Sequence, residues 1–258
     1  MNPEFVAAIV LAAGFSERMG DFKPLMMLGG MTVLERVIRL FQSVGVGRIH
    51  VVIGHRAAEL RPCIDRWGGR SVVNADYAQG MFSSVADGMS SLDERAGSFF
   101  VLPVDIPLVR PATLRRLMEE FSGGAAGICH PTFQGRRGHP PLIGRRFTSV
   151  IAHWTEEGGL RALLERFDSE AVEVPVADEF ILLDMDGPDD HRRLCACLKA
   201  REILSPAECR ALLVEKLKTS PAVWSHGRAV AEWALHIGRA LAAAGCRLNL
   251  DLIYAAAL

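Results

Sequence analysis

The sequence predicts an α/β protein: a mostly parallel sheet flanked by helices, with a small helical appendage at the C-terminal end. Three observations carry that expectation. Apolar, β-branched runs alternate with amphipathic helical patterns from Phe5 to about Phe180. Several of those runs empty into short loops that hold glycines, hydroxyls and isolated charges, which is where open α/β sheets bind ligands. From His191 onward the pattern is helical only.

Length and composition bound the function classes. At 258 residues, 50% of them hydrophobic, the chain can bury a sizeable core as one α/β domain with a smaller unit attached. A formal net charge of -1 and scattered basic residues give no footprint for nucleic acid or an acidic membrane surface. Six cysteines (Cys63, Cys129, Cys195, Cys197, Cys209 and Cys246) lack the spacing of a zinc site or a small disulfide framework and read as reduced thiols. The first strand follows the N-terminus without a basic leader, and no apolar run is long enough to span a bilayer, so a cytoplasmic protein is expected.

The elements follow in order. Phe5 to Leu11 reads as a buried strand, and it runs into V-L-A-A-G-F-S-E-R-M-G-D-F-K-P, Val10 to Pro24. Small residues there (Ala12, Ala13, Gly14, Gly20) leave room for an anion to approach backbone N–H groups, and Arg18 and Lys23 bring a forked donor and a point charge. Taken alone, the same composition describes a surface turn with solvated charges. It is not G-x-x-x-x-G-K-[ST], and its glycines are too far apart for G-x-G-x-x-G, which argues against a P-loop NTPase and a dinucleotide-dependent dehydrogenase.

Gly29-Gly30 makes a turn, and Thr32 caps a helix with the stripe Val33, Leu34, Val37, Ile38, Leu40, Phe41 and Val44. Arg48 to Ile53 is the second strand, Arg56 to Trp67 a helix and Ser71 to Asn74 a short strand. Gly80 then precedes a helix whose first turn holds Ser83 and Ser84, either a donor-rich ligand site or a plain capped helix. The strand Ser98 to Pro103 ends in V-D-I-P-L-V, so that Asp105 is delivered to the sheet edge on a proline-stiffened turn. That suits a hard cation beside a polyphosphate, and it equally suits a helix cap.

Pro111 to Phe121 is a helix, with a strand near Ala126 to Cys129. F-Q-G-R-R-G-H-P-P-L-I, Phe133 to Ile143, clusters Arg136, Arg137 and His139 in a turn. A helix over Leu160 to Phe167 and strands at Ala171 to Val176 and Phe180 to Leu183 follow, the last ending in D-M-D-G-P-D-D, Asp184 to Asp190. Pro188 starts a helix to about Ile203, Ser205-Pro206 starts the next, and Ser225-His226 opens a long one with Val230, Trp233, Ala234, Ile237 and Leu241 on one stripe. Gly245 ends it, and Asn249 starts a final helix. The uncapped A-A-A-L end is expected to continue past Leu258.

With these stretches in hand, L-A-A-G-F-S-E-R-M-G followed by Lys23 resembles the signature of nucleotidyltransferases with the Rossmann-like nucleotide-diphospho-sugar transferase fold. Within them it is most similar to the molybdenum cofactor cytidylyltransferases and their guanylyltransferase relatives. The Y-x-x-G-M-x-S-S, D-x-P-L, G-x-x-G-H-P and D-x-D-G-P-D-D stretches match in the same order, with Phe82 in place of a small or hydroxyl residue and Gly187 in place of Thr, which predicts a looser loop. The resemblance implies that Leu11, Ala12, Ala13, Gly14, Ser16, Gly80, Ser83 and Ser84 bind the nucleotide, and that Arg18 and Lys23 are catalytic. It further implies that Asp105 and Asp186 hold Mg²⁺, with Asp184 a weaker candidate, and that Arg137 and His139, beside Arg136, bind the acceptor.

The implied reaction moves CMP from CTP onto the terminal phosphate of molybdopterin and releases pyrophosphate. A molybdoenzyme or its chaperone would be the receiving partner. Ala12-Ala13 favours CTP over GTP. A non-catalytic nucleotide or cofactor sensor is the alternative from another class. Residues 1–203 form the nucleotidyltransferase domain and 204–258 the helical unit. S-H-x-R-A-V around His226 and D-L-I-Y-A-A-A-L resemble the opening of an HD-type metal phosphohydrolase, in which His226 would be the first metal ligand and the His-Asp pair would fall past Leu258. One ligand cannot make the site, so the region reads as an inert remnant or a packing appendage.

Overall fold

In the computed structural model, which describes residues 2–124, 127–155 and 157–258, the first strand is the axis of the molecule. β1 (Val6–Ala12) is buried along its whole length. Its alternate residues feed two cores. Val6, Ala8, Val10 and Ala12 enter one, and Ala7, Ile9 and Leu11 enter the other. A strand buried on both faces needs apolar residues at every position, which is why it reads as a run rather than an alternation. Each such aliphatic side chain is worth roughly 1.5–3 kcal/mol.

The chain then makes a short hairpin of β2 (Met27–Leu28) and β3 (Met31–Thr32) and enters α1 (Val33–Gln42), where the Thr32 hydroxyl accepts from Glu35 N–H at 3.1 Å. β4 (Arg48–Ile53) pairs parallel with β1, α2 (Ala57–Arg66) returns, and β5 (Arg70–Val73) pairs parallel with β4. After α3 (Met81–Ser90) the chain crosses to the other side of β1, where β6 (Ser98–Pro103) also pairs parallel. The direction of strand addition therefore reverses at β1. That is the position at which the carboxyl-end loops of an open sheet splay apart into a crevice.

Beyond β6 lie α4 (Pro111–Ser122), β7 (Ile128–Phe133), β8 (Arg136–Arg137) and β9 (Leu142–Gly144). β9 runs antiparallel between β6 and β7, and β8 forms a hairpin with β7. Of the strand expected near Ala126 to Cys129, Ala126 lies outside the described residues. α5 (Thr148–Ala152), α6 (Gly159–Arg166) and β10 (Ala171–Pro175) complete the sheet, in the order β10-β7-β9-β6-β1-β4-β5. α3, α5 and α6 cover one face, and α1, α2 and α4 the other. Gly88 lets α3 lie directly on β1, because a Cβ there would collide with Ile9; this close approach carries the start of α3 to the mouth of the crevice.

Two sequence expectations are corrected here. Phe180 to Leu183 is not a strand: Glu179–Leu182 form a 3₁₀ turn, begun by the buried Asp178 carboxylate, which accepts from Phe180 N–H. A local side-chain bond has replaced the ladder that an apolar run would otherwise seek. The long C-terminal helix also begins earlier, at the Ser220 cap rather than at Ser225.

α7 (Pro188–Ala200) and α8 (Pro206–Arg210) are followed by a π-helical turn, Ala211–Lys216, and then by α9 (Pro221–Ala243) and α10 (Leu250–Ala257), which pack on each other. The expected stripe of α9 is not a buried seam, since Val230, Trp233, Ile237 and Leu241 are exposed. His226 is exposed too, and among the described residues no group of three or more His, Cys, Asp or Glu could hold a metal. No helix among them is long and apolar enough to cross a membrane.

α8 is fastened to the sheet domain by a buried ionic knot. Arg110 donates to both carboxylate oxygens of Glu208 (3.0 and 2.9 Å) and through its backbone N–H to Asp178 (2.8 Å), while Arg201 reaches the Val109 carbonyl (2.6 Å). Glu208 and Asp178 are each 1% exposed. Removing one partner would strand the other charge away from water, at a cost of about 3–5 kcal/mol. Arg110→Ala is therefore expected to lower the free energy of unfolding by that amount in urea titration; a loss below about 0.5 kcal/mol would show that the knot carries no stability.

Candidate active site

Four charged side chains that lie far apart in sequence meet at the crevice. The loop leaving β1 passes through Ser16, held in the left-handed region at φ 61°, and its Oγ accepts from the Lys23 backbone N–H at 3.2 Å. That bond closes the loop and turns the Lys23 side chain inward. Its Nζ donates to Asp105 Oδ2 at 3.2 Å and to Asp186 Oδ1 at 3.3 Å. Asp105 stands just past the end of β6, and Asp186 just before α7. The two segments are tied by Met185 N–H donating to the Asp105 carbonyl at 2.9 Å. Arg18 grips Asp186 from the solvent side with two contacts, 3.0 and 2.9 Å, in the paired geometry a planar guanidinium allows.

The loop with Gly187 is not loose. The Asp190 carboxylate accepts from both Asp186 N–H (3.1 Å) and Gly187 N–H (2.8 Å), closing the start of α7 and fixing Asp186 without a threonine hydroxyl. Asp184 is exposed and is not part of the Lys23 pair.

Next to this cluster lies a cavity of about 320 Å³. Leu11, Ala12, Ala13, Gly14, Ser16, Gly80 and Ser84 from the sequence-based set line it, together with Lys23 and Asp105. Ser83 does not line it but braces its wall, donating to the Gly80 carbonyl at 2.8 Å. Arg18 stands outside on the rim, 76% exposed. Gly80, at φ 112°, opens the first turn of α3, a conformation that costs an L side chain dearly.

Sequence reasoning did not single out Asn74 or Phe15, and held Tyr77 only as the first residue of the Y-x-x-G-M-x-S-S stretch. Asn74, 1% exposed, donates to both Ser83 and Ser84 hydroxyls at 2.9 Å and accepts from Asp76 N–H, so one amide orders the whole turn before α3. Phe15 and Tyr77 line the cavity, and the Phe15 ring packs at a tilt against those of Tyr77 and His55, with centres 5.2 and 5.3 Å away. The signal for Asn74 was present, as a polar residue closing an apolar strand.

A second cavity, of about 800 Å³, opens from the first and shares Leu11, Gly80, Met81 and Pro103 with it. Arg136, Arg137 and His139 all line it. Their charges differ in availability. Arg137 is held by Asp168 at 2.7 Å and Glu173 at 2.9 Å, whereas among the described residues Arg136 forms no ion pair. Gly138 is forced, because a Cβ there would fall 2.5 Å from the Ile181 carbonyl oxygen. His139 N–H donates to that same carbonyl at 2.9 Å, which sets the hairpin against the 3₁₀ turn.

Burial lowers the His139 pKa, opposed in part by Asp105. His130, on β7 and also in the cavity wall, is pushed down to about 4, first by burial and then by Arg137.

A family model described as "MobA-like NTP transferase domain" matches residues 8–172, which span β1 into β10. The molybdenum cofactor cytidylyltransferase of Escherichia coli is 29% identical over 72% of this chain and 93% of its own length. The bifunctional IPC transferase and DIPP synthase of Rubrobacter xylanophilus is 42% identical over 45% of this chain, and the match spans only 27% of that longer protein. Among solved structures, Rv0371c of Mycobacterium tuberculosis in complex with manganese superposes with a TM-score of 0.57 at 26% identity, covering 74% of this chain and 98% of that one.

The His130 environment has a consequence for acid stability. Its folded pKa lies below the unfolded value of about 6.5, so the unfolded state binds the extra proton first, and stability falls as the pH drops from about 6.5 through about 4. The loss amounts to about 3 kcal/mol at the acid end. His130→Phe is expected to remove that part of the pH dependence in urea titrations between pH 7 and 4; an unchanged slope would place His130 in a solvated setting instead.

Proposed function

We propose a reaction from the premise that this chain belongs to the MobA-like NTP transferase family and is a nucleotidyltransferase: CMP passes from CTP to the terminal phosphate of a molybdopterin-type acceptor, and pyrophosphate leaves. The observation that carries this reading is the Lys23 ammonium between Asp105 and Asp186 at the mouth of two joined cavities. The smaller would take the nucleotide and the larger the acceptor.

A divalent metal fits this arrangement. Two carboxylates from separate segments converge on one cation, both partly open to solvent, and hard oxygen donors are what Mg²⁺ requires. Asp105 and Asp186 would hold the ion, whose part when bound is to neutralise charge on the nucleotide phosphates. Manganese in the M. tuberculosis relative supports a divalent ion of this kind.

The side chains of this protein do the rest by placement and charge. Backbone N–H groups from Ala12 to Ser16, in a loop with little side-chain bulk, can approach the phosphates. Lys23 and Arg18 would turn from the carboxylates to the leaving pyrophosphate. The Asn74 amide keeps the Ser83 and Ser84 turn in place against the nucleotide. The attacking phosphate is mostly doubly ionised near neutral pH, its second pKa being about 6, so no general base is needed. Arg136, free of ion pairs among the described residues, suits the acceptor phosphate, while Arg137 positions the hairpin through Asp168 and Glu173.

CTP is favoured over GTP by the Ala12-Ala13 pair, a discrimination of roughly 1–3 kcal/mol. Residues 204–258 take no direct part in this reaction. The protein would act in the cytoplasm, with a molybdoenzyme or its chaperone downstream.

Pyrophosphate release tests this reading with CTP, GTP, ATP and UTP, with and without molybdopterin, and with phosphorylated polyols as a second acceptor class. Mg²⁺-dependent release with CTP only when molybdopterin is present is the expected result. A GTP preference would reassign the base, release with a polyol phosphate would reassign the acceptor, and CTP binding with no release would favour a sensor. Lys23→Ala and Asp105→Ala are each expected to lose at least a hundredfold in rate with unchanged circular dichroism; near wild-type turnover would remove that residue from the mechanism.

A further inference from the structure

Two buried carboxylates grip the 3₁₀ turn at Glu179–Leu182, one of them local and the other from the helical unit. Asp178 accepts from Phe180 N–H at 3.2 Å. Glu208, 29 residues after Glu179 and in α8, accepts from Glu179 N–H at 3.2 Å with the same Oε1 that takes Arg110 Nε at 3.0 Å. Its Oε2 accepts from Arg110 Nη2 and from Ser205 N–H, each at 2.9 Å. One side chain thus joins the starts of α8, α4 and the turn. The Arg110 guanidinium also lies over the Phe180 ring, 5.1 Å from its centre, a further hold on the same turn. Ionic attachment of α8 needs the Arg110 contacts but has no use for the Glu179 N–H, which would lack a partner without Glu208.

The turn in its place sets the wall of the larger cavity. Between β8 and β9 the chain leaves the ladder, and Gly138, His139 and Pro141 line that cavity. His139 N–H donates to the Ile181 carbonyl, in the middle of the turn, and Gly138 lies against Ile181 with no room for a Cβ. Asp186 is insulated from the turn, since Asp190 fixes its N–H and Met185 N–H is bound to the Asp105 carbonyl.

We propose that Glu208 is a positioning residue for the acceptor side of the site: it fixes the 3₁₀ turn through Glu179 N–H and, through Ile181, fixes residues 138–141 at the cavity wall. Glu208 lies outside residues 8–172, the span matched by the family model, so the helical unit adds this control to the transferase fold. It shapes the larger cavity and leaves the smaller one alone. The kinetic consequence rests on the reading that the acceptor enters the larger cavity; the positioning does not.

Side-chain length and charge separate positioning from attachment. Glu208→Gln keeps the length and an acceptor oxygen for Glu179 N–H but loses the charge. Glu208→Asp keeps the charge for Arg110 but is one methylene short of Glu179. Amide hydrogen exchange of His139 is followed in the full-length wild type and both variants, where Val10 in β1 still exchanges more slowly, so that local opening is read. Ser205→Ala, which removes the hydroxyl that accepts from Glu208 N–H but leaves the Glu208 carboxylate intact, controls for a weakened α8. Glu208→Asp is expected to speed His139 exchange at least tenfold, with Glu208→Gln and Ser205→Ala within threefold of wild type. In pyrophosphate release with CTP and molybdopterin, Glu208→Asp is expected to raise the acceptor KM at least fivefold and leave the CTP KM within twofold. His139 exchange unchanged by Glu208→Asp, faster in Glu208→Gln than in Glu208→Asp, or equally fast in Ser205→Ala would overturn the proposal, as would a CTP KM that rises with the acceptor KM. A wild type that releases no pyrophosphate would sink the transferase reading, while the exchange order would still decide the role of Glu208, so the two failures are separable.

Discussion

One ammonium group between two carboxylates organises this molecule. Lys23 reaches Asp105 and Asp186 across 82 and 163 residues of sequence, and so draws the loop after β1, the loop after β6 and the start of α7 to one point. Without that cation the two carboxylates would face each other, and repulsion between like charges at this range would spread the crevice. Arg18 balances the second negative charge from the solvent side. The cluster of two cations and two anions is thus neutral as it stands. A nucleotide triphosphate would unbalance it, and in the proposed reaction Lys23 and Arg18 would turn to the phosphates, leaving Asp105 and Asp186 as the residues that would hold a divalent ion. Exchange of partners at one point, rather than a proton relay, is the chemistry that the arrangement suits.

The sheet makes that point available. β1 is flanked by parallel neighbours on both sides, so its own loop and that of β6 emerge side by side at the same carboxyl edge of the sheet, where Lys23 and Asp105 can meet. Gly88 brings α3 down onto β1, and Asn74 then fixes the turn that begins the helix. Antiparallel β9, inserted between β6 and β7, carries the β7–β8 hairpin over the far side of the crevice and creates the larger cavity. The smaller cavity is therefore a product of the parallel half of the sheet, and the larger one of its irregular half.

Much of this was legible in the amino-acid sequence, for physical reasons that differ from place to place. β1 could be read because a doubly buried strand leaves a continuous apolar run, and α1 because its stripe and its Thr32 cap are local features. The loop from Ala12 to Lys23 stood out because small residues beside fixed charges serve few purposes other than an anion. The 3₁₀ turn at Glu179–Leu182 was not legible, since it depends on Asp178, whose partners Thr113 and Arg110 come from another element. The tightness of the Gly187 loop depends on Asp190 in the same way. His130 gave no local signal at all. Its environment is made by β8, β10 and the turn after α6, which only the fold brings together.

The exchange of partners at Lys23 is the central claim, and diffraction can test it most directly. Crystals grown with Mn²⁺ and a non-hydrolysable CTP analogue, measured at the manganese absorption edge, would locate the ion and the lysine together. The expected result is an anomalous peak bound by Asp105 and Asp186, with the Lys23 ammonium moved onto the phosphates. A nucleotide bound in the crevice with Lys23 still between the two carboxylates, and the ion elsewhere, would contradict the account.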